Sequence, residues 1–294
     1  MDIAMNTTSN HATLYNLIRD YMDAMGTSRT TLVALKSYID AVKRLKCPGD
    51  DFKRLLLELN TVIKNTEPKV IPLVHLIEAF ESEMATHFSA DVQTAKARAM
   101  EILGQKLKQF EADTEKLTQQ CMQCIAPQDF IITHSPTAYI RDAFARAHTE
   151  LKRRFKVLAL KQDFLRTREL VRLLEQNQVE HHVIPEYNLS HYLGVVNKLF
   201  IGAVSISADK KAITGIGTAN VVSLCHAHQI PVYLFIESIK FAHTPLPNQN
   251  IYREQKEKKE ADFTFRMTTF SHDFIDLKMI DFLITEKGEE PTKK

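Results

Sequence analysis

The sequence predicts an α/β fold class in which an all-helical N-terminal domain precedes a Rossmann-like domain with a mostly parallel sheet. Three observations carry this. From Thr13 to about Cys124 the apolar residues recur at helical spacing, with no strand-like alternation. After Ala126-Pro127-Gln128 the pattern changes to short apolar runs alternating with amphipathic segments, as parallel strands joined by crossover helices require. Glycine is scarce, at 8 of 294 residues, which argues against a fold built mainly of tight hairpins, whose turns use glycine at positive φ. The expected domains are 1–124, helical with a long connecting helix, and 125–294, α/β.

The first helical stretch carries Leu14, Leu17, Ile18, Tyr21, Met22 and Met25. A second runs from Leu32 through Leu35, Ile39, Val42 and Leu45 and stops before Cys47-Pro48-Gly49, where proline lacks a donor and glycine permits a left-handed turn. A third has Asp50 or Asp51 as its expected N-cap and Phe52, Leu55, Leu56, Leu59 and Ile63 on one face. Pro68 and Pro72 bracket the next expected break, followed by a stripe of Leu73, Leu76, Ile77, Phe80 and Met84. A long helix from Ala90 to about Gln123, the expected spine between the domains, sets Ala99, Leu103, Leu107, Phe110, Leu117 and Cys121 among many charged and amide residues.

Six apolar runs read as strands: Phe130 to Thr133, Phe155 to Leu160, His182 to Ile184, Leu199 to Ile206, Val232 to Ile236 and Phe282 to Thr285. Helical stretches are expected at Ala138 to Arg154, Thr167 to Gln176, Ser190 to Asn197 and Thr218 to His228, giving the doubly wound alternation. The charged segment Asn248 to Phe265 reads as a solvated loop or short helix, and the tail from Lys287 to Lys294 as frayed.

Charge excludes some functions. With 38 basic and 36 acidic residues, no global field draws the protein to nucleic acid or a membrane surface. No stretch approaches the roughly 18 apolar residues of a membrane span, and the polar start from Met1 to Ala12 lacks a signal-peptide pattern. Four cysteines, Cys47, Cys121, Cys124 and Cys225, are too sparse for a disulfide framework and suit a reducing compartment, so the cytoplasm is the expected location. Cys121-Met122-Gln123-Cys124 has no second pair or histidine doublet at zinc-ligand spacing, and no cofactor or metal is expected. Arg141, Arg146, His148, Lys152, Arg153 and Arg154 read first as a solvated surface and second as a contact for an acidic partner.

The clearest local signal is Gly202-Ala203-Val204 in a β-run, then a polar turn at Asp209-Lys210-Lys211, then Ile213-Thr214-Gly215-Ile216-Gly217-Thr218 opening a helix. Glycine there lets backbone N–H groups approach an anion closely, although the third glycine of a dinucleotide fingerprint is missing and a plain turn into a helix is, taken alone, the better explanation. His134 stands where a strand ends, the edge at which open α/β sheets bind ligands.

Four motifs occur in order across Ile131 to Gly288: Ile131-Ile132-Thr133-His134-Ser135; Gly202-Ala203 with Ile216-Gly217-Thr218; Pro231-Val232-Tyr233 with Glu237-Ser238-Ile239-Lys240-Phe241; and Ile284-Thr285-Glu286-Lys287-Gly288. In these the chain resembles the alpha, beta and delta subunits of translation initiation factor 2B and their relatives, methylthioribose-1-phosphate isomerase and ribose-1,5-bisphosphate isomerase. Glu237 to Phe241 followed by Pro245, Leu246 and Asn248-Gln249 is most similar to the regulatory alpha subunit. The resemblance implies that the isomerases need a cysteine after Thr-His and an aspartate in Gly-Ala-Asp, places held here by Ser135 and Val204. A serine hydroxyl is a far weaker acid than a thiol and valine does not titrate, so neither half of a proton-transfer pair remains. Thr214-Gly215 stands where relatives carry Asn-Lys, and Lys161-Gln162-Asp163-Phe164 where they carry Glu-x-x-Pro.

These readings lead to a non-catalytic, alpha-like interaction protein of the guanine-nucleotide exchange assembly. The resemblance implies a homodimer that contacts other initiation factor 2B-like subunits and initiation factor 2. A vestigial pocket for a sugar phosphate or nucleotide would use His134, Ser135, Thr214, Gly215, Gly217, Thr218 and Lys240. The rival is a sugar-phosphate isomerase with a relocated acid–base pair, His134 with Asp209 or Glu237, or a sensor of the same ligands without chemistry.

Overall fold

The computed structural model describes residues 3–47, 49–66, 69–88, 91–161, 164–243, 253–259 and 262–291. The chain divides into two compact units, Met1–Asp113 and Thr114–Lys294.

The first unit is helical, with α1 (Ile3–Arg44), α2 (Gly49–Lys64), α3 (Ile71–Met84) and the start of α4 (Val92–Gln123). The two helices expected before Cys47 are joined into α1 across a kink at Gly26, whose φ of 80° and ψ of 167° are open to glycine alone. Thr30 Oγ1 donates to Gly26 O and Thr31 Oγ1 to Thr27 O, both at 2.8 Å, occupying carbonyls beside the break. Because α2 begins at Gly49, Asp50 and Asp51 lie in its first turn rather than at the cap. The expected break lies between Lys64 and Ile71, and Pro72 falls in the first turn of α3, where its missing N–H costs nothing. Pro68 and Ala90 lie outside the described residues.

The core of this unit contains Leu35, Phe52, Leu56, Leu73, Ile77, Phe80, Met84, Ala99 and Leu103, with Tyr38 edge-on to Phe80 at 5.8 Å. Tyr38 donates a short hydrogen bond to Asn60 Oδ1, and burial pushes its phenol upward. Among the described residues no helix is long and apolar enough to cross a membrane.

The second unit opens with the end of α4 and continues through β1 (Phe130–His134), α5 (Ala138–Thr149), β2 (Lys156–Lys161), α6 (Phe164–Gln176), β3 (Glu180–Pro185), β4 (Lys198–Gly202), β5 (Ser205–Ile206), β6 (Lys211–Gly215), α7 (Thr218–Ala227), β7 (Val232–Phe235), β8 (Arg253–Lys259), β9 (Thr264–Phe270), β10 (His272–Asp276), β11 (Phe282–Thr285) and β12 (Gly288–Glu290). The main sheet has the order β12-β11-β7-β4-β1-β2-β3, parallel except for β12. Counting only its parallel strands in chain order gives 3-2-1-4-5-6, the doubly wound order, so the topology reverses between β1 and β4. Strand alternation buries both faces: Ile132, Leu158, Leu199, Ile201, Val232 and Leu234 pack in one core with α7, while Ile131, Val157, Ala159, Phe200 and Phe235 pack in another with α5, α6 and Leu117, Cys121 and Met122 of α4.

Several expected elements differ. The helix from Ala138 stops at Thr149 rather than Arg154, because Lys152 turns left-handed (φ 53°) and Arg153 bends back to donate to Met122 O and Ile125 O at 2.7 and 2.6 Å. Met122 lies in the last turn of α4 and Ile125 just beyond its end, so Arg153 ties down the C-terminal end of that helix from a distance. Arg141 pairs with Glu169, and Arg146 with Glu115 and Glu150, so much of the expected basic surface is engaged internally. The helix expected at Ser190 to Asn197 is instead a short 3-10 helix, Glu186–His191, since Asn197 is drawn away to bond Asp129 and the N–H of Phe130. The run Leu199 to Ile206 splits into β4 and β5, which belong to different sheets. The charged segment expected as a solvated loop or short helix contains β8, antiparallel to β9, and the expected frayed tail contains β12, whereas 244–252, 260–261 and 292–294 lie outside the described residues.

A Gly26→Ala substitution meets no neighbouring atom, so its cost is all backbone. It is expected to destabilise the protein by about 1–3 kcal/mol, read from the urea midpoint, because alanine cannot hold this φ and ψ without strain.

Candidate functional site at the sheet reversal

His134 ends β1, registered against Ile201 of β4, and is fully buried. Ser135 follows in a left-handed conformation (φ 51°) and turns the chain through Pro136 toward α5. On the other side of the reversal, β6 runs into Gly217, the left-handed N-cap of α7 (φ 90°, ψ −21°). A Cβ on Gly217 would lie 2.4 Å from Glu186 Oε2, so the backbone conformation calls for glycine and any side chain there would also push the end of Glu186 aside.

His134 Nδ1 lies 2.9 Å from Thr218 Oγ1, and Thr218 Oγ1 donates to Gly215 O at 2.5 Å. Since the Thr218 proton is committed to that carbonyl, its oxygen accepts from Nδ1. His134 Nε2 faces Glu186 Oε2 at 3.3 Å. This hydrogen bond holds the Glu186 carboxyl below the usual glutamate range, against an opposing effect of burial and with help from the imidazolium charge. A second carboxylate completes the arrangement: Asp273 of β10 accepts from the N–H of Ala219 in the first turn of α7 at 2.9 Å. The N-terminus of α7 is thus bordered by two protein carboxylates, one bonded to its backbone and one packed on its N-cap.

Of the seven residues singled out in the sequence, His134, Gly215, Gly217 and Thr218 come together here, with Ser135 beside them. Thr214 is fully buried on β6, and its Oγ1 has no hydrogen-bond partner among the described residues. Lys240 belongs to another set of contacts. It is fully buried, 2.8 Å from Glu237 Oε2, within 3.5 Å of Ala203 O and 5.7 Å from the centroid of Tyr139. Burial first, and the Glu237 charge second, push the Tyr139 phenol upward, and its hydroxyl donates to Phe235 O at 2.8 Å.

Sequence reasoning missed Glu186. It was readable as an acidic residue directly after the apolar end of a strand, at the ligand-binding edge of a parallel sheet, but the helix expected further along drew attention past it. Neither acid–base partner proposed for His134 is the one found: Asp209 lies 3.4 Å from Lys211 and Glu237 pairs with Lys240. Ser135 offers a hydroxyl and Val204 no titratable group, and of the His134–Glu186 pair only Glu186 is partly exposed. Cys121 and Cys124 are free, with burial pushing the first well above the ordinary thiol range and the second to about 11. Among the described residues no group of three or more histidine, cysteine or acidic side chains is placed to hold a metal ion.

An α/β unit with its candidate site at the reversal, preceded by a helical unit, defines the class. Residues 46–292 match the model of the Initiation factor 2 subunit family, and the chain belongs to that family. A protein of Pyrococcus abyssi named translation initiation factor eIF-2B subunit 2-like is 25% identical over 198 residues, covering 67% of this chain and 68% of its own. The ribose 1,5-bisphosphate isomerase of Pyrococcus furiosus is 21% identical over 275 residues, covering 90% and 84%. Among solved structures, the translation initiation factor eIF-2B of Pyrococcus horikoshii OT3 is similar with a TM-score of 0.74 at 21% identity, covering 93% of this chain and 95% of its own. A chain of the tetrameric eIF2B-beta2-delta2 complex of C. thermophilum has a TM-score of 0.72 at 15% identity, covering 99% and 96%. At these identities the structural likeness establishes the fold, and the fold is the one the sequence predicts.

Glu186→Gln keeps the shape of the side chain and removes the charge that His134 meets. A depressed carboxyl pKa contributes stability above the unfolded value, and this is lost as pH falls through the folded value. The variant is expected to melt lower than wild type at neutral pH, and the gap to close as the pH of successive thermal melts falls below the glutamate range.

Proposed function

We propose that the protein is a non-catalytic, alpha-like subunit that regulates a guanine-nucleotide exchange assembly of the initiation factor 2B type. In this reading it forms a homodimer and contacts other subunits of the family and initiation factor 2. The observation that carries the reading is the pair of carboxylates at the N-terminus of α7. A helix N-terminus attracts the phosphate of a ligand, but Glu186 and Asp273 already supply negative charge there. A phosphorylated sugar entering at that point would meet like charge. Ser135 and Val204, in place of the cysteine and aspartate implied by the isomerase resemblance, give the same answer from chemistry. Membership of a family that includes both translation factor subunits and an isomerase supports the choice between these two readings and no wider one.

The second reading, a sugar-phosphate isomerase or sensor, is favoured by the His134–Glu186 pair, because a hydrogen-bonded histidine and carboxylate at this edge of the sheet is equipment for moving a proton. Incubation of purified protein with ribose 1,5-bisphosphate separates the two. The expected result is neither turnover nor a rise in melting temperature, with association retained in a pull-down with beta and delta subunits. Turnover that disappears in His134→Ala would establish the enzyme, and a rise in melting temperature without turnover would establish the sensor.

A further inference from the structure

We infer that the ribbon of β8 and β9 is a binding surface for single-stranded nucleic acid. Among the described residues the two strands form a sheet of their own. Their composition departs from that of the whole chain, whose charges nearly balance. β8 reads Arg-Glu-Gln-Lys-Glu-Lys-Lys and β9 reads Thr-Phe-Arg-Met-Thr-Thr-Phe, so the two strands hold five basic residues against two acidic ones. Glu260 and Asp262 add acidic charge only in the connection between them. The strands therefore suit an anionic partner locally, although no global field draws one in.

Charge alone would describe a solvated surface. What sets this ribbon apart is that it is also aromatic where it meets solvent: Phe263, Phe265 and Phe270 are 60%, 40% and 47% exposed, and Phe263 stacks on Phe265 with centroids 5.9 Å apart. The register gives each ring of β9 a cation for its neighbour, with Phe265 directly opposite Lys258 and Phe270 directly opposite Arg253. Residues opposed in this way share a face. A ring beside a cation matches one nucleotide, since the ring stacks on a base and the cation meets a phosphate. Elsewhere the protein spends its surface arginines on itself: Arg54 pairs with Asp51 and Glu58, Arg98 with Glu101, and Arg146 with Glu115 and Glu150. On the ribbon Arg253, Lys258, Lys259 and Arg266 are exposed, and no ion pair joins them to a described side chain.

The placement of the rings chooses among anionic partners. Strand alternation sends Phe265 to one face of the ribbon and Phe270 to the other. A lipid surface meets one face and would leave the rings of the other in water. An acidic peptide would engage the cations and leave the rings unused. A flexible run of nucleotides carries phosphates and flat bases together and can pass from one face to the other over the edge of the ribbon. A duplex keeps its bases stacked inside, so the partner is a single strand, and stacking on phenylalanine is tolerant of its sequence.

Fluorescence anisotropy of the full chain with labelled oligouridylate, oligodeoxythymidylate and a duplex tests this. Both single strands are expected to bind, and the duplex about tenfold more weakly, because its bases are closed to the rings. Phe265→Ala and Phe270→Ala are each expected to weaken single-strand binding about tenfold while leaving its salt dependence unchanged. Arg253→Gln and Arg266→Gln should weaken it and also flatten the slope of log affinity against log salt by about 0.7 each. Glu257→Gln and Asp262→Asn, which remove charge that repels phosphate, should tighten it. Single strands that fail to bind at low salt, phenylalanine variants that bind as wild type does, or a duplex held as tightly as a single strand would each overturn the proposal. So would sedimentation with phosphatidylserine vesicles that the oligonucleotides do not compete away, which would make the ribbon a membrane surface. Circular dichroism matching wild type certifies that the variants are folded, and the solvent-facing Arg266→Gln decides the matter if the phenylalanine variants are not. Binding at the ribbon is independent of the regulatory role proposed above.

Discussion

The constraint on which the candidate site depends is the reversal of strand order between β1 and β4. Neighbouring parallel strands there send their chains to opposite faces of the sheet: β1 turns at Ser135 into α5, and β4 leads through β5 and β6 into α7. The divergence opens a crevice at the carboxyl ends of the strands, and in open α/β sheets a ligand fills it. His134 reaches Thr218 on one side and Glu186 on the other, and so links the end of β1, the start of α7 and the 3-10 helix after β3.

That linkage has a definite electrostatic logic. The fully buried imidazole sets one ring nitrogen against each oxygen. Removing Glu186 would take a partner from a buried ring nitrogen, and removing His134 would take from the Glu186 carboxylate the hydrogen bond that holds its pKa down. The Glu237–Lys240 pair is organised differently. Both partners are almost wholly buried, so their attraction is set against a large desolvation cost, and the pair is better understood as fixing the chain after β7 than as a reserve of stability.

Much of the fold was legible in the sequence because the two periodicities are strong. Strands buried on both faces appear as continuous apolar runs, which is why Phe130 to Thr133 and Val232 to Ile236 map closely onto β1 and β7. The misread segments are those in which a long-range contact overrides the local pattern. Arg153 leaves its helix to cap α4, Asn197 leaves its segment to hold Asp129, and β8 takes its strand conformation from its pairing with β9, since its charged sequence has no strand signature of its own. The site was legible in half. His134 and the glycine turn before α7 were visible as motifs, but the identity of the partner was not, because Glu186 lies 52 residues from His134 in the chain and only the crossover brings them together.

His134 stands where two tasks meet at the end of β1. Proton transfer needs a residue that titrates and reaches a substrate. Linking the reversal needs a rigid side chain with polar atoms in two directions, and the His134 ring meets Thr218 with one nitrogen and Glu186 with the other. Its presence in the Thr133-His134-Ser135 motif therefore says little about catalysis by itself, and the carboxylate it engages says more.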